Sequence, residues 1–451
     1  MSLFVKKKGF YQRILSISLP IAAQQVITVG VNMMDTIMLG QSGEIALSAS
    51  SMAVQVHNLF HFMCMGLSMG AAVLIARFWG AGEERSLRKT LTLMYRFALL
   101  LGLIFTLAVG IAPGPILSLL TPDGAVIAEG VRYLRWALPC FFLVGLSLPT
   151  THVLRNCGKA SIPLFSSIGA FFINIFFNWV FIFGKMGAPA MGVAGAALGT
   201  TISRVFEFCV ICGYFLFKEK EVRFKLRDLL LPCGDLLPEY IRISMPVLIS
   251  DTLLGLGTSV TVSIVGHISQ VFMSAHTITT VTQQVTSVFS ASLGQSSLII
   301  IGNTLGQGKA EEAQKQGVTF AVLGFLIGIV CCLFLLLISP AVVGYYKITA
   351  ETHAVAMELM GSMAIVTIFM VTSSLLTKGI LRGGGDTRFL MVADIFFLWA
   401  VSVPLGALAG LVWDRPPFWV FFCLKSEHLL KTILCLFRLK CGKWIKKIKA
   451  V

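Results

Sequence analysis

The sequence carries little charge for a chain of 451 residues. Only 13% of its residues are charged and 56% are hydrophobic, and the mean hydropathy is +0.85. Soluble domains contain about 25% charged residues, so this chain has too few to cover a water-facing surface. The composition therefore excludes a soluble enzyme, a disordered chain and a coiled coil, and it predicts a membrane protein.

Motifs for catalysis and for ATP hydrolysis are also missing. The sequence contains no Walker A motif, no H-E-x-x-H motif and no Ser/His/Asp arrangement in a recognisable elbow. Cys209 and Cys212 have a C-x-x-C spacing without a zinc-type partner pair, so we interpret them as small packing residues. We expect neither enzymatic activity nor a cofactor, and active transport would have to be driven by an ion gradient.

Long apolar stretches dominate what is present. Crossing the hydrocarbon core takes about 20 apolar residues, and twelve such stretches can be counted along the chain. The clearest lies between Lys315 and Lys347 and contains no charge, and the last covers roughly residues 418–436. The sequence therefore predicts an all-α membrane protein with twelve transmembrane helices.

Positive charge is concentrated in alternate loops. Lys and Arg number 36 against 21 acids, a net charge of +15. With a cytoplasmic N-terminus, 27 of these cations fall in inside segments and three in outside loops. Cytoplasmic loops are enriched in Lys and Arg, so we predict that both termini are cytoplasmic in a multi-pass protein of the cell inner membrane. This sorting accounts for the excess of positive charge, so the charge does not indicate a nucleic acid partner.

The chain also repeats itself at half its length. Ser18-Leu19-Pro20 recurs as Ser244-Met245-Pro246, 226 residues later, and two glycine motifs recur at offsets of 226 and 227. Six spans in each half give both halves the same orientation, a parallel repeat. We predict a first lobe over residues 1–217, a cytoplasmic linker over 218–239 and a second lobe with a basic tail over 240–451.

Asp35 is the best candidate for a functional charge inside the membrane. It follows Pro20 by 15 residues, about four helical turns, and so lies in the outer half of the first predicted span. A charge inside the bilayer is costly and indicates function by default. The alternative is an acid at a helix end, exposed to outside water.

Asn174 and Asn178 stand four residues apart in the fifth predicted span. That spacing places both amides on one face of an otherwise apolar helix. Amide and carboxylate oxygens suit a hard cation or a proton carried by a carboxyl group, whereas the alternative is hydrogen bonding between packed helices.

Other polar residues within the spans are candidates for lining a substrate cavity. The alternative is packing for the uncharged residues and the histidines, and pairing with nearby basic groups for Asp251 and Asp394. The eighth predicted span carries a polar stripe, and His57 and His61 have metal-ligand spacing without the Glu of a zinc motif. Arg204 and Glu207 have the spacing of an intrahelical ion pair. The cavity candidates are Gln55, His57, His61, His276, Thr280, Gln283, Ser287, Asp251 and Asp394.

Four motifs together resemble the multidrug and toxic compound extrusion (MATE) family, over nearly the whole chain. One is Pro20 with the run from Asp35 to Gly40, and the second is Ala76-Arg77-Phe78-Trp79-Gly80-Ala81-Gly82. The third is Leu381-Arg382-Gly383-Gly384-Gly385-Asp386-Thr387, and the fourth is Gly442-Lys443-Trp444-Ile445.

The resemblance implies a V-shaped bundle that exports organic, often cationic, compounds in exchange for Na⁺ or H⁺. The family's ion site maps onto Asp35, Asn174, Asn178 and Thr200, and its helix kink onto Pro20. The acids that many Na⁺-coupled members carry in the second lobe align here with Gly255 and Val371. That departure concentrates the expected coupling on Asp35.

We therefore expect a monomeric antiporter in the lipid bilayer that exports small organic molecules. Two alternatives remain open. A lipid-linked oligosaccharide flippase would need more Arg and Lys in its cavity for the pyrophosphate. A membrane-embedded enzyme would have to be built around His57, His61 and Asp35.

Overall fold

All regular structure in the described part of the chain is helical. The computed structural model describes residues 5, 7–41, 43–346, 348–413 and 415–448; Lys6, Lys347 and Lys449, which the charge count uses, lie outside them. The helices are α1 Lys8–Gly40, α2 Glu44–Ala81, α3 Glu84–Ile111, α4 Pro113–Ser118, α5 Gly124–Asn156, α6 Ser161–Phe183, α7 Val193–Gly213, α8 Leu237–Ile268, α9 Gln270–Gly306, α10 Ala310–Tyr345, α11 Ala350–Ser374, α12 Thr387–Ile395, α13 Val403–Ala407, α14 Pro417–Leu424 and α15 Ser426–Lys440.

Several helices continue into wider or tighter turns. π-helical segments extend α7 (Tyr214–Lys218) and α11 (Leu375–Leu381). Two more join α12 to α13 (Phe396–Ser402) and follow α13 (Leu408–Val412). A short 3₁₀ helix, Leu226–Leu230, lies in the linker. The prediction of an all-α membrane protein is confirmed.

Eleven helical runs in the described residues are long and apolar enough to cross a membrane. The twelfth predicted span, over 418–436, differs from the prediction because it is interrupted. α14 ends at Leu424, Lys425 takes a non-helical backbone (φ −113°, ψ 7°), and α15 begins at Ser426. The backbone N–H of Glu427, in the first turn of α15, donates to Ser402 Oγ at 2.7 Å. A side chain thus satisfies a donor that the break leaves without a helical partner.

Polar side chains cap the helices at several turns, as the sequence pattern favours. Asp123 accepts from the N–H groups of Ala125 and Val126 at the start of α5. Ser269 separates α8 from α9 and accepts from the N–H of Phe272 at 3.0 Å. These caps allow long apolar helices to follow each other with short connections.

Two compact units divide the described chain. The N-unit comprises Ala23–Ile75 and Glu83–Ser244, and the C-unit comprises the described residues of Met1–Ala22, Ala76–Gly82 and Met245–Lys449. α1 changes unit between Ala22 and Ala23, two residues beyond Pro20. The predicted lobe boundaries at 217 and 240 stay a prediction.

Each unit has its own apolar core. In the N-unit, residues of α2, α3, α5 and α7 pack together around Phe60 and Phe141, whose rings are 5.1 Å apart in an edge-on arrangement. In the C-unit, α8, α9, α10, α11 and α14 contribute to a core that includes Met360 and Phe421. Side chains of several helices thus interlock within each unit and fix the positions of its polar residues.

The C-terminal segment of the C-unit packs against the glycine-rich turn after α11. Trp444 is fully buried, and its Nε1 donates to Gln314 Oε1 at 2.6 Å. A β-carbon on Gly384 would overlap the Trp444 ring. The Arg77 guanidinium donates to the carbonyls of Gly384 and Lys446. Three of the motifs that carry the family resemblance are therefore parts of one contact.

Replacing Trp444 by Ala should destabilise the protein, because a large buried ring and a buried hydrogen bond are lost together. The expected cost is about 3 to 5 kcal/mol, seen as a lower midpoint of thermal unfolding in detergent. Lys443→Ala is the matched control, since the adjacent side chain is exposed. Equal midpoints for the two variants would contradict the packing.

Candidate functional site

The carboxylate of Asp35 meets an amide from α6. Asp35 lies five residues before the end of α1 and is partly buried, and its Oδ1 accepts a hydrogen bond from Asn178 Nδ2 at 2.5 Å. Asn178 is completely buried. The acid is therefore held inside the N-unit by a specific partner on α6.

A chain of hydrogen bonds extends from this contact to α7. Asn178 Nδ2 also lies 3.2 Å from Asn174 Oδ1, one helical turn earlier on the same face. Asn174 Nδ2 in turn donates to Thr200 Oγ1 of α7 at 3.3 Å. The structure thus brings together the four residues that the sequence and the resemblance assign to the ion site, from three different helices.

A glycine on α7 provides the space for this arrangement. A β-carbon on Gly199 would collide with the Asn178 side-chain oxygen and its backbone nitrogen. α6 and α7 can approach this closely only because Gly has no side chain, the packing that small residues permit between membrane helices. The residue beside Thr200 therefore sets the position of the amide that contacts Asp35.

The arrangement offers oxygen ligands and a titratable group in a confined place. Asn178 Oδ1 is buried and accepts no hydrogen bond from the described residues. Together with the Asp35 carboxylate and the Thr200 hydroxyl, it belongs to the oxygen set that a hard cation prefers. The same carboxylate could instead take up a proton.

Tyr133 of α5 is an additional member that the sequence reasoning missed. It is buried, and its hydroxyl interacts with the Thr200 hydroxyl. Tyr133 stands in an Arg-Tyr-Leu-Arg run, where nothing in the local pattern distinguishes it from a packing or interfacial tyrosine. Only the packing of α5 against α7 identifies it.

Pro20 lies within α1, in the part of the helix that belongs to the C-unit. It has no N–H to donate, so the helix lacks one backbone hydrogen bond at this point. Asp35 and Pro20 are thus on the same continuous helix but on opposite sides of the boundary between the units.

The cavity candidates in α2 differ in their surroundings. Gln55 and His61 are exposed, whereas His57 is partly buried and stacks on Phe141 with ring centroids 4.4 Å apart. His57 Nδ1 is buried and finds no hydrogen-bond partner among the described residues. No group of three or more His, Cys, Asp or Glu residues in the described part of the chain could hold a metal ion.

The polar stripe of α9 changes character along the helix. His276 is buried near Phe421, and Gln283 Nε2 lies 2.8 Å from Met370 Sδ of α11. Ser287 is exposed, and Thr280 donates to a carbonyl of its own helix. Part of the stripe therefore packs between helices, and only the exposed members remain candidates for lining a cavity.

Asp251 and Asp394 both pair with cations of the C-unit. Asp251 accepts two hydrogen bonds from Arg382, at 3.0 and 3.1 Å. Asp394 accepts from Lys431 Nζ at 3.1 Å and from Ser250 Oγ at 2.8 Å. Of the two alternatives open for these acids, cavity lining or pairing with nearby basic groups, the geometry favours pairing.

Lys431 lies between two carboxylates, since Glu427 Oε2 is also 3.1 Å from its ammonium. The side chains of Lys431, Asp394 and Glu427 are each less than a tenth exposed. The sequence analysis missed this cluster, although three charged residues inside the last predicted span, Lys425, Glu427 and Lys431, were a usable signal. Breaking such a buried pair leaves an uncompensated charge, which is strongly unfavourable.

Solved structures of transporters share this fold. An outward-facing multidrug resistance MATE family transporter of the MOP superfamily superposes with a TM-score of 0.87, covering 97% of this chain and 96% of that one at 18% identity. At this identity the likeness shows the shared fold, a bundle of helices long and apolar enough to cross a membrane.

The family follows from the sequence comparison. The MatE family model matches residues 20–180 and again residues 246–408. The chain therefore belongs to the MatE family. The two matches begin 226 residues apart, the offset of the sequence repeats.

Named relatives cover nearly the full length. The probable multidrug resistance protein NorM of Thermotoga maritima is 22% identical, over 97% of this chain and 93% of its own. The uncharacterised transporter YisQ of Bacillus subtilis is also 22% identical, over 96% and 95% of the two chains.

Gly199→Ala tests the close approach of α6 and α7. The added methyl group has no room, so we expect a loss of about 1 to 3 kcal/mol of stability, measured as a fall in the thermal midpoint. Gly213→Ala on the same helix meets no atom within 4 Å and should be neutral or slightly stabilising. A neutral Gly199→Ala variant would contradict the proposed packing around Asn178.

Proposed function

We propose that the protein is a secondary active antiporter that exports organic compounds in exchange for Na⁺ or H⁺. The observation that carries the proposal is the partly buried Asp35 carboxylate held by Asn178, in a family whose named relatives include multidrug resistance proteins. An acid inside the membrane changes its interactions strongly when an ion or proton neutralises it. That difference is what ion-driven exchange requires.

The exchange we propose is a competition between the ion and the substrate. In the outward-open state, Asp35 takes up Na⁺ or a proton, α1 rearranges about Pro20, and the bound compound loses its site. In the inward-open state the ion leaves and a new compound enters. Neither ligand alone completes the cycle, because each favours a different arrangement of α1.

The pairing of interior cations with acids supports an organic, cationic and amphiphilic substrate over a lipid-linked pyrophosphate. The interior cations Arg382 and Lys431 are already paired with Asp251 and Asp394. They are therefore not free to hold phosphate groups, as a flippase would need. In the N-unit, the exposed Gln55 and His61 are candidate lining residues, and both are neutral or weakly basic. In the C-unit, the exposed and neutral Ser287 is another candidate.

The coupling we propose depends on the N-unit alone. In the C-unit, the Lys431 ammonium bridges Asp394 and Glu427 and already neutralises part of their charge. Because a covalently attached cation cannot leave, this cluster cannot exchange an ion without losing its pairing. Asp35, which lies inside a predicted span, takes part in none of the described ion pairs of the N-unit and is held instead by the Asn178 amide.

We further propose a monomer in the cell inner membrane with both termini in the cytoplasm. The charge asymmetry of the loops supports this orientation. The exposed Lys440 ends α15, the exposed Lys443 and Lys447 follow it, and all three would then face the cytoplasmic leaflet.

Asp35→Asn should abolish ion-driven export while leaving a folded, inserted protein, because the amide keeps the size but not the charge. The measurement is export of ethidium, a fluorescent organic cation, from proteoliposomes under an imposed Na⁺ or pH gradient, one gradient at a time. Glu351→Gln removes an exposed acid at the start of α11 and should export normally. Full activity of the Asp35 variant would refute the assignment.

A reporter fused after residue 451 tests the orientation. Alkaline phosphatase, which is active only outside the cytoplasm, should be inactive in this position, whereas green fluorescent protein should be fluorescent. An active phosphatase fusion would reverse the proposed topology.

A further inference from the structure

A second polar contact joins α1, α6 and α7 in the N-unit, away from Asp35. Gln24 Nε2 of α1 donates to Ser167 Oγ of α6 at 2.9 Å. Ser167 Oγ in turn donates to Glu207 Oε1 of α7 at 3.4 Å. All three residues are 8% or less exposed. We call this set, Gln24, Ser167 and Glu207, the inner junction.

The inner junction repeats the arrangement of the Asp35 contact at a fixed distance. Gln24 precedes Asp35 by 11 residues on α1, and Ser167 precedes Asn178 by 11 residues on α6. Eleven residues are about three helical turns, or roughly 16 Å. α1 and α6 therefore run side by side in register between the two contacts, and a movement of α1 relative to α6 disturbs both.

Two arginines complete the inner junction. Gln24 Oε1 accepts from Arg155 Nη2 at 2.5 Å, and Glu207 Oε2 accepts from Arg204 Nη1 at 2.6 Å. Both ends of the Gln24 amide are thus used, by α5 and by α6. Buried polar groups that lose such partners are destabilised, so the contact resists displacement of α1.

The charge of Asp35 reaches the inner junction through Arg204, which interacts electrostatically with both Glu207 and Asp35. Arg155 and Arg204 contribute two positive charges, and Glu207 and Asp35 contribute two negative ones. The other titratable groups that interact with these charges are His57, His61, His152, Tyr133, Cys140 and Cys212. Loading Na⁺ or a proton on Asp35 adds a positive charge to a region that already contains two arginines. The arrangement in the structure therefore fits the ion-free protein.

Gln24 is also placed where a rearrangement of α1 must act. It lies four residues, about one turn, beyond Pro20, and two residues inside the N-unit. The part of α1 beyond Pro20 cannot move away from α5 and α6 while the Gln24 amide stays bound to both Arg155 and Ser167.

We propose that Gln24 is a positioning residue of the exchange, whose inner junction holds α1 in the ion-free arrangement and so opposes ion loading at Asp35. This inference rests on the proposed antiport function. By linkage, a contact present only in the ion-free state lowers the apparent affinity for the ion and raises that for the substrate.

Gln24→Leu removes both hydrogen bonds at nearly constant size. In ethidium export from proteoliposomes, the concentration of the driving ion that gives half-maximal export should fall about fivefold, because the opposing contact is gone. The ethidium concentration for half-maximal export should rise in parallel. Ser167→Ala, a smaller change, should shift both quantities in the same directions.

Gln25→Leu is the matched control. Gln25 is the next residue on α1, is only partly buried, and makes no side-chain hydrogen bond in the described part of the chain. It should leave both half-maximal concentrations unchanged. If Gln24 had only a structural role, its replacement would reduce the amount of folded protein and the maximal export rate. The ion concentration for half-maximal export would stay unchanged.

The inference is overturned if the wild type exports and both Gln24→Leu and Ser167→Ala leave the half-maximal ion concentration unchanged or raise it. Should Gln24→Leu fail to fold, Ser167→Ala alone decides. Wild-type vesicles that export under neither gradient would instead refute the antiport function on which the inference rests.

Discussion

The hydrogen bond between Asp35 and Asn178 is the interaction on which the N-unit depends. A carboxylate inside the membrane is costly, and three helices are arranged around this one. α6 supplies two amides on one face, α7 supplies Thr200, and Gly199 lets α6 and α7 approach closely enough for the Asn178 side chain to fit. The site is therefore a consequence of helix packing as much as of its polar residues.

The C-unit meets the same constraint with a different solution. Its buried acids are neutralised by side chains of the protein itself, Asp251 by Arg382 and Asp394 by Lys431. Such pairs are fixed parts of the structure, and breaking one would leave a buried charge without compensation. The two units thus differ in how these acids are held, Asp35 by an amide and Asp251 and Asp394 by cationic side chains. This difference is the physical basis for assigning coupling to the N-unit.

Much of this could be predicted from sequence because membrane insertion leaves strong patterns. The lengths of the apolar stretches predicted the membrane spans, and the spacing of Asn174 and Asn178 indicated that both side chains share one helix face. The break at Lys425 could not be seen, since apolar length says nothing about a backbone interruption. Tyr133 and Gln24 were missed for another reason. Each owes its role to a partner more than 60 residues away along the chain, a relation that local spacing does not contain.

The central claim is that ion and substrate compete through Asp35. The most direct test is to add ethidium to the purified, ion-loaded protein and to measure the Na⁺ or protons released into a weakly buffered detergent solution. The account predicts stoichiometric release from the wild type and none from Asp35→Asn. Saturating ethidium binding to the wild type without release of either ion would contradict it.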